Sequence, residues 1–219
     1  MAVNNPTPQQ PIGIFGGTFD PVHLGHIQIA RQVLDKCYLQ KILFIPCYQP
    51  AHRHQPTATP TQRLEMLRLA LENYPKFIVD AREIKRQGAS FMIDTLQSLK
   101  QEYPNISLCL ILGSDAFAKL NTWHNWQQLA DYTNFIIVNR PHIQTKLSPL
   151  IQNFLQQAII TDPSKLSKIA NGAIYQLNIS PIPISATTIR QQLKNCKTPL
   201  STLSKKVFNY INSKKIYIT

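Results

Sequence analysis

Residues 16–26 read GGTFDPVHLGH and lie between a short apolar run, PIGIF (11–15), and an amphipathic stretch, IQIARQVLDKCY (27–38). No other segment narrows the fold so far. An apolar run, a glycine-rich turn and a helix-periodic stretch, in that order, open a β-α-β unit, and in an open sheet of parallel strands that first turn is where ligands bind. Three of the seven glycines fall in these eleven residues. Glycine lets main chain approach a phosphate closely, Thr18 adds a hydroxyl, and the following helix directs unpaired N–H groups at an anion. Two familiar phosphate loops are missing: there is no GxxxxGK[ST], and Gly13, Gly16 and Gly17 do not form GxGxxG.

The alternation continues along the chain. KILFIP (41–46), FIVD (77–80), SLCLILG (107–113) and NFIIVNRP (134–141) are further apolar runs, separated by helix-periodic segments at 59–71, about 91–103 and about 126–132. Thr59, Pro60 and Gln62 supply an N-cap, a first-turn proline and a capping-box partner, and Leu64, Leu67 and Leu71 mark the apolar face behind them. Five strands alternating with helices predict an α/β fold with a doubly wound, Rossmann-like parallel sheet over residues 11–146. From 147 the sequence predicts a helix, a candidate sixth strand AIYQLNI (173–179) and two helices after Ile184 and Thr202. This last part, 147–219, reads as a small, basic helical subdomain packed on the sheet. No linker, internal repeat or low-complexity segment divides the chain, so residues 1–219 read as a single domain.

Composition bounds the function classes. With 219 residues, 43% hydrophobic and 16% charged, the chain can bury a sizeable core, which excludes disorder as its main state. No apolar run approaches the roughly 18 residues of a spanning helix, and the opening MAVNNPTPQQP has neither a basic start nor an apolar core. A cytoplasmic protein, neither secreted nor membrane-spanning, is expected. Cys37, Cys47, Cys109 and Cys196 lie far apart without a CxxC pair, which suits buried thiols in a reducing compartment. The net charge is +12, and after Asp162 the chain has nine Lys or Arg and no acidic residue, whereas residues 1–162 carry only +3. Such a balance attracts anions: nucleic acid, phosphorylated small molecules or acidic lipid.

Two constellations carry chemistry. His23 and His26 flank Gly25 at the helix start, and at a spacing of three both imidazoles fit one side of the first turn, where they can donate to phosphate oxygens. HxxH alone is most often a pair of polar caps, but the strand-Gly-Gly-turn-helix setting favours phosphate. A zinc site built from His23, His26, His52 and His54 competes; no spacing fixes its ligands and no cysteine lies near. The second constellation is ISATTIR (184–190). Ser185 begins a helix, Thr187 lies in its first turn and Arg190 follows on the same face, so hydroxyls, free amides and a guanidinium converge on one anion. Alone it is what any capped helix offers.

Together the two motifs resemble the HxGH nucleotidyltransferase superfamily, whose members join a nucleotidyl group from a triphosphate to a phosphate acceptor. Four further segments sharpen the resemblance to the bacterial nicotinate-nucleotide adenylyltransferases: PAHR (50–53), EIKR with SFMIDTL (83–96), LGSDAF with TW (112–123), and IIVNRP (136–141). They occur in the family's order and span nearly the whole chain. The resemblance implies that nicotinate adenine dinucleotide and pyrophosphate are made from ATP and nicotinate mononucleotide with Mg²⁺. It implies His23, His26 and Arg190 as catalytic residues, with Gly16, Gly17, Thr18, Phe19, Ser185 and Thr187 around the ATP phosphates and Gly113 and Asp115 at the ribose. It implies His52 and Arg53 near the acceptor phosphate, Ser90, Met92 and Thr95 near the nicotinate, Trp123 stacked on the pyridine ring, and Arg140 lining the site.

On their own, Trp123 reads as a core aromatic and Arg53 as a solvated loop cation. The chain departs from the family at 90–92, where Ser-Phe-Met stands in place of the common Ser-Tyr-Thr, so a hydroxyl near the nicotinate is missing and main-chain amides are left to hold its carboxylate. No carboxylate set marks a resident metal, so Mg²⁺ is expected to ride on the ATP phosphates. The alternatives are an adenylyltransferase acting on nicotinamide mononucleotide or phosphopantetheine, and a basic nucleic-acid-binding module. PAHR and TW speak against phosphopantetheine, and the lysines of the final third lack the interleaved aromatics of a stacking platform. Nothing in the sequence fixes an oligomeric state.

Overall fold

The computed structural model describes residues 9–50, 55–139, 146–180 and 183–218. Its first half comprises β1 (Ile12–Gly17), α1 (Leu24–Lys36), β2 (Lys41–Pro46), β3 (Gln49–Pro50), α2 (Pro60–Leu71), β4 (Phe77–Val79), α3 (Arg82–Arg86), β5 (Ala89–Ser90) and α4 (Met92–Glu102). The second half adds β6 (Leu108–Gly113), α5 (Ser114–Phe117), β7 (Asn134–Asn139), α6 (Pro149–Ala158), β8 (Ile159–Ile160), β9 (Ile174–Asn178), α7 (Ala186–Lys194) and α8 (Lys205–Ser213). Short 3₁₀ turns occupy Leu120–Thr122, Trp126–Asp131 and Pro163–Ser167.

Seven strands form one parallel sheet in the order β4-β2-β1-β6-β7-β9-β8. The winding reverses between β1 and β6, which makes that pair the switch point of a doubly wound sheet. Alternate residues of each strand point to opposite faces. Ile12, Ile14, Leu43, Ile45, Leu110 and Ile137 join one core, closed by α4, α5, α6 and the first two 3₁₀ turns; Ile42, Phe44, Cys109, Ile111 and Ile136 join the other, closed by α1, α2, α7, α8 and Leu166 of the third. Burial on both faces is why these strands read as continuous apolar runs, and each fully buried Ile or Leu contributes about 1.5–3 kcal/mol. Gly13 has no room for a side chain. A Cβ there would sit 2.8 Å from Leu39 Cδ1, 3.0 Å from Ile42 Cγ1 and 3.1 Å from Ile111 Cδ1.

Several boundaries differ from the sequence expectation. β1 runs on to Gly17, so Gly16 and Gly17 are strand residues rather than turn residues, and α1 begins at Leu24, inside the glycine motif. The stretch from Trp126 is a 3₁₀ turn, because a three-residue repeat turns both Trp126 and Leu129 toward the core. Beyond residue 147 the expected sixth strand forms as β9, and a further short strand, β8, joins it. β9 is an interior strand between β7 and β8, and α7 and α8 share an apolar core with α1 and α2.

Candidate active site

β1 and β6 pair only from Ile12 to Ile14 against Leu108 to Leu110, yet both strands run three residues further. Their carboxyl ends part there, and the cleft between them is bordered by the main chain of Gly16, Gly17 and Gly113. The chain leaves β1 through Thr18, Phe19, Asp20 and Pro21. Phe19 adopts a left-handed φ of 51°, costly for a bulky residue, and is held there by its buried ring, which lies edge-on to Phe15 and His26 at 5.9 and 5.1 Å. The Phe19 side chain therefore belongs to the core.

α1 starts at the histidines. The rings of His23 and His26 stack at 3.7 Å with 26° between their planes, and the His23 main-chain N–H donates to His26 Nδ1 at 3.2 Å. An accepting Nδ1 carries no proton, so in the neutral ring Nε2 is the donor end. The second motif arrives from the other side. Ile184 Cβ lies 3.3 Å from where a Cβ on Gly25 would be, so the missing side chain lets the start of α7 close on the start of α1. Ser185 caps α7 by accepting from the Thr188 N–H at 3.2 Å, and Arg190 donates to Thr187 Oγ1 at 3.3 Å, which puts Thr187 and Arg190 on one face as their spacing predicts. Arg190 also donates to the main-chain carbonyl of Asp20 at 2.6 Å and lies 4.0 Å from its carboxylate, across 170 residues of sequence.

Two residues beyond the candidate site residues hold this arrangement. Arg63 of α2 is 0% exposed and donates to three main-chain carbonyls, of Ala58 at 3.2 Å, Thr18 at 2.8 Å and Tyr48 at 3.0 Å. It thereby ties the loop after β1 to the segment after β2. The signal was present in the sequence: Arg63 is in helical phase with Met66, Leu67 and Ala70, all buried, and an arginine in an apolar stripe needs internal acceptors. Asp20 is the other. Its carboxylate accepts from the N–H groups of Thr57 at 2.9 Å and Ala58 at 3.0 Å and from the Tyr217 hydroxyl.

The expected acceptor residues divide. Thr95 is 0% exposed and donates to the Glu83 carboxylate at 2.7 Å, which turns its hydroxyl inward. Ser90 accepts from the Tyr48 N–H at 2.9 Å and also bonds Glu83. Burial pushes the Glu83 carboxyl up, and the hydroxyls of Thr95 and Ser90 partly oppose it. Met92 lays its methyl 2.6 Å from the Cβ position of Gly16, at the cleft edge. Trp123 is half-buried against the core that α4 also packs on, and neighbouring His124 lies ring to ring with Phe91 at 4.5 Å. Asp115 is exposed, with Oδ1 2.6 Å from the Cβ position of Gly113, so its carboxylate folds back over the end of β6. His52, Arg53 and Arg140 lie outside the described residues, as does His54 of the competing zinc set. Among the described residues no helix is long and apolar enough to cross a membrane.

Residues 14–192 match the model of the cytidylyltransferase-like family. With the glycine-bordered cleft at the switch point, this makes the chain a nucleotidyltransferase of that class. A probable nicotinate-nucleotide adenylyltransferase of Methylococcus capsulatus is 37% identical over 207 residues, spanning 94% of this chain and 99% of that one. A relative of the same name from Aeromonas salmonicida is 38% identical over 207 residues, spanning 94% and 97%. The chain belongs to the nicotinate-nucleotide adenylyltransferase family. The solved structure of Plasmodium falciparum nicotinic acid mononucleotide adenylyltransferase complexed with NaAD is similar in fold, with a TM-score of 0.72 over 95% of this chain and 98% of that one at 19% identity.

Proposed function

We propose that this enzyme transfers the adenylyl group of ATP to nicotinate mononucleotide, giving nicotinate adenine dinucleotide and pyrophosphate, a step of NAD biosynthesis. What supports the reading is one observation: HxGH and ISATTIR meet beside the loop after β1, in a chain whose named relatives match 94% of its length. A phosphate acceptor is already anionic near neutral pH, so no base has to create the nucleophile. An acceptor oxygen bonds to the α-phosphorus as the bond from that phosphorus to the β-bridging oxygen breaks, and pyrophosphate leaves with the electron pair. The obstacle is repulsion between anions and the charge that grows on a five-coordinate phosphorus. Fixed donors meet that need best.

In this reading His23, His26 and Arg190 donate to the triphosphate, with Ser185, Thr187 and the first-turn amides of α1 and α7 beside them. Gly16, Gly17 and Thr18 seat it, Gly113 and Asp115 take the ribose, and His52, Arg53, Trp123 and Arg140 take the acceptor. ATP enters as its magnesium complex. In this reading the ion is carried by phosphate oxygens and water. Bound there, the ion offsets triphosphate charge. With Met92 in place of a hydroxyl, main-chain N–H groups near 91–93 hold the nicotinate carboxylate.

The test is incubation with ATP and Mg²⁺ plus nicotinate mononucleotide, nicotinamide mononucleotide or phosphopantetheine, with product and pyrophosphate quantified. Equimolar nicotinate adenine dinucleotide and pyrophosphate are expected. No dinucleotide at saturating substrates overturns the reaction, and faster turnover of either other acceptor overturns the choice of acceptor.

A further inference from the structure

We infer that Tyr217, in the segment after α8, is a positioning residue for this transfer: its hydroxyl clamps the Asp20 carboxylate, and Asp20 in turn fixes Arg190 and the segment that enters α2. The inference rests on the reaction proposed above and adds a residue that lies in none of the site motifs. Tyr217 is 5% exposed and donates to Asp20 Oδ1 at 2.5 Å, across 197 residues of sequence. The same carboxylate accepts the Thr57 and Ala58 N–H groups, three and four residues past His54, while the Asp20 main-chain carbonyl accepts from Arg190. One residue of the phosphate loop therefore joins Arg190, the stretch following PAHR, and the segment after α8.

The local backbone supports a dedicated role. Lys215 and Tyr217 both take left-handed φ values, 51° and 66°, on either side of Ile216, which is 5% exposed and whose N–H donates to the Ile211 carbonyl at 3.0 Å. Non-glycine residues stay in that region only where tertiary contacts over-determine them. Ile216 in the core and Tyr217 on Asp20 are those contacts. Packing alone does not explain the residue type, because phenylalanine would fill the same space without a buried hydroxyl that must find an acceptor. Burial and the facing Asp20 carboxylate push the phenol up, which keeps it a donor at working pH. Arg190, anchored through one nitrogen to Asp20 and another to Thr187, is thereby held in a defined place against the loop.

Tyr217→Phe isolates the hydroxyl. Displacing a transition-state donor by a fraction of an ångström costs roughly tenfold in rate, so kcat is expected to fall about tenfold with KM for ATP changed less than threefold. In an Arg190→Ala background the same substitution is expected to change kcat less than twofold, because a residue acting through Arg190 has nothing left to position. Ile211→Val, which removes a methyl from the core under α8, serves as the stability control and is expected to lower Tm while leaving kcat at 25 °C within twofold. In the free protein, Tyr217→Phe is expected to speed amide hydrogen exchange at Thr57 and Ala58. The inference is overturned if Tyr217→Phe keeps kcat within twofold of wild type, if the loss is equal in both backgrounds, if Ile211→Val loses as much, or if exchange at Thr57 and Ala58 is unchanged. If wild type forms no dinucleotide, the proposed reaction falls, and exchange in the free protein still decides whether the clamp exists.

Discussion

Replacing Arg63 by methionine keeps an unbranched chain in a site that is 0% exposed but removes the donors to the carbonyls of Ala58, Thr18 and Tyr48. Each buried acceptor left unsatisfied costs about 1–3 kcal/mol, so three cost roughly 3–9 kcal/mol. Two effects offset this. The variant no longer strips water from a guanidinium, a penalty of several kcal/mol, and the part-buried carbonyls of Thr18 and Tyr48 can recruit water where the buried one of Ala58 cannot. A net loss of about 3 kcal/mol follows. With an unfolding entropy of ~2.1 cal/mol/K per residue over 219 residues, or ~0.46 kcal/mol/K, the midpoint should drop by about 6–7 °C. The loop after β1 also loses its anchor at Thr18, so kcat/KM for ATP should fall by about tenfold at a temperature where the variant is fully folded. Arg63→Lys keeps the charge without the planar fork and should lose about half as much stability. Melting by circular dichroism and steady-state kinetics decide the matter. A midpoint for the methionine variant within about 2 °C of wild type, together with unchanged kcat/KM, would refute the reasoning.

His26→Ala should lower kcat by about a hundredfold in a pyrophosphate-release assay, as for the loss of one fixed transition-state donor, and full activity would remove His26 from the mechanism. Met92→Thr should shift the ratio of kcat/KM between the nicotinate and nicotinamide acceptors by less than about tenfold if main-chain donors dominate; a larger gain would show that the missing hydroxyl matters. Gly13→Ala forces a Cβ to within 2.8–3.1 Å of three core side chains and should cost about 1–3 kcal/mol in urea unfolding. The Glu83 carboxyl is raised above its ordinary value of 4.5 by burial, so the folded protein holds that proton more tightly than the unfolded chain, and wild-type stability declines as pH rises through and above that value. Glu83→Gln removes this slope, so its stability relative to wild type should climb as pH rises above 4.5, and parallel pH profiles would contradict the burial argument.

What was legible in the sequence obeyed local rules. Apolar runs bounded β2 to the residue, Thr59 and Gln62 form the reciprocal cap their spacing requires, and Ser185 caps α7 with Arg190 on the Thr187 face. Arg63 was legible too, as a charge in phase with buried residues, but its three acceptors belong to loops whose paths no periodicity encodes. The pairing of Asp20 with Tyr217 spans 197 residues and depends on two left-handed backbone positions that side-chain pattern does not announce. Thr95 shows a different limit. Its motif suggests a ligand contact, and only the buried Glu83 behind it reveals where the hydroxyl points.

The parted ends of β1 and β6 stay fixed along their outer sides. Gly16 and Gly17 remain in register with Ile45 and Pro46, and Leu112 and Gly113 with Ile137 and Val138. Neither wall can swing without breaking a ladder that continues into the rest of the sheet, so the width of the cleft floor is invariant through the turnover cycle. Motion that admits substrates and expels pyrophosphate must come from outside the sheet. Structures trapped at successive stages should therefore superpose along all seven strands and differ only at the rim.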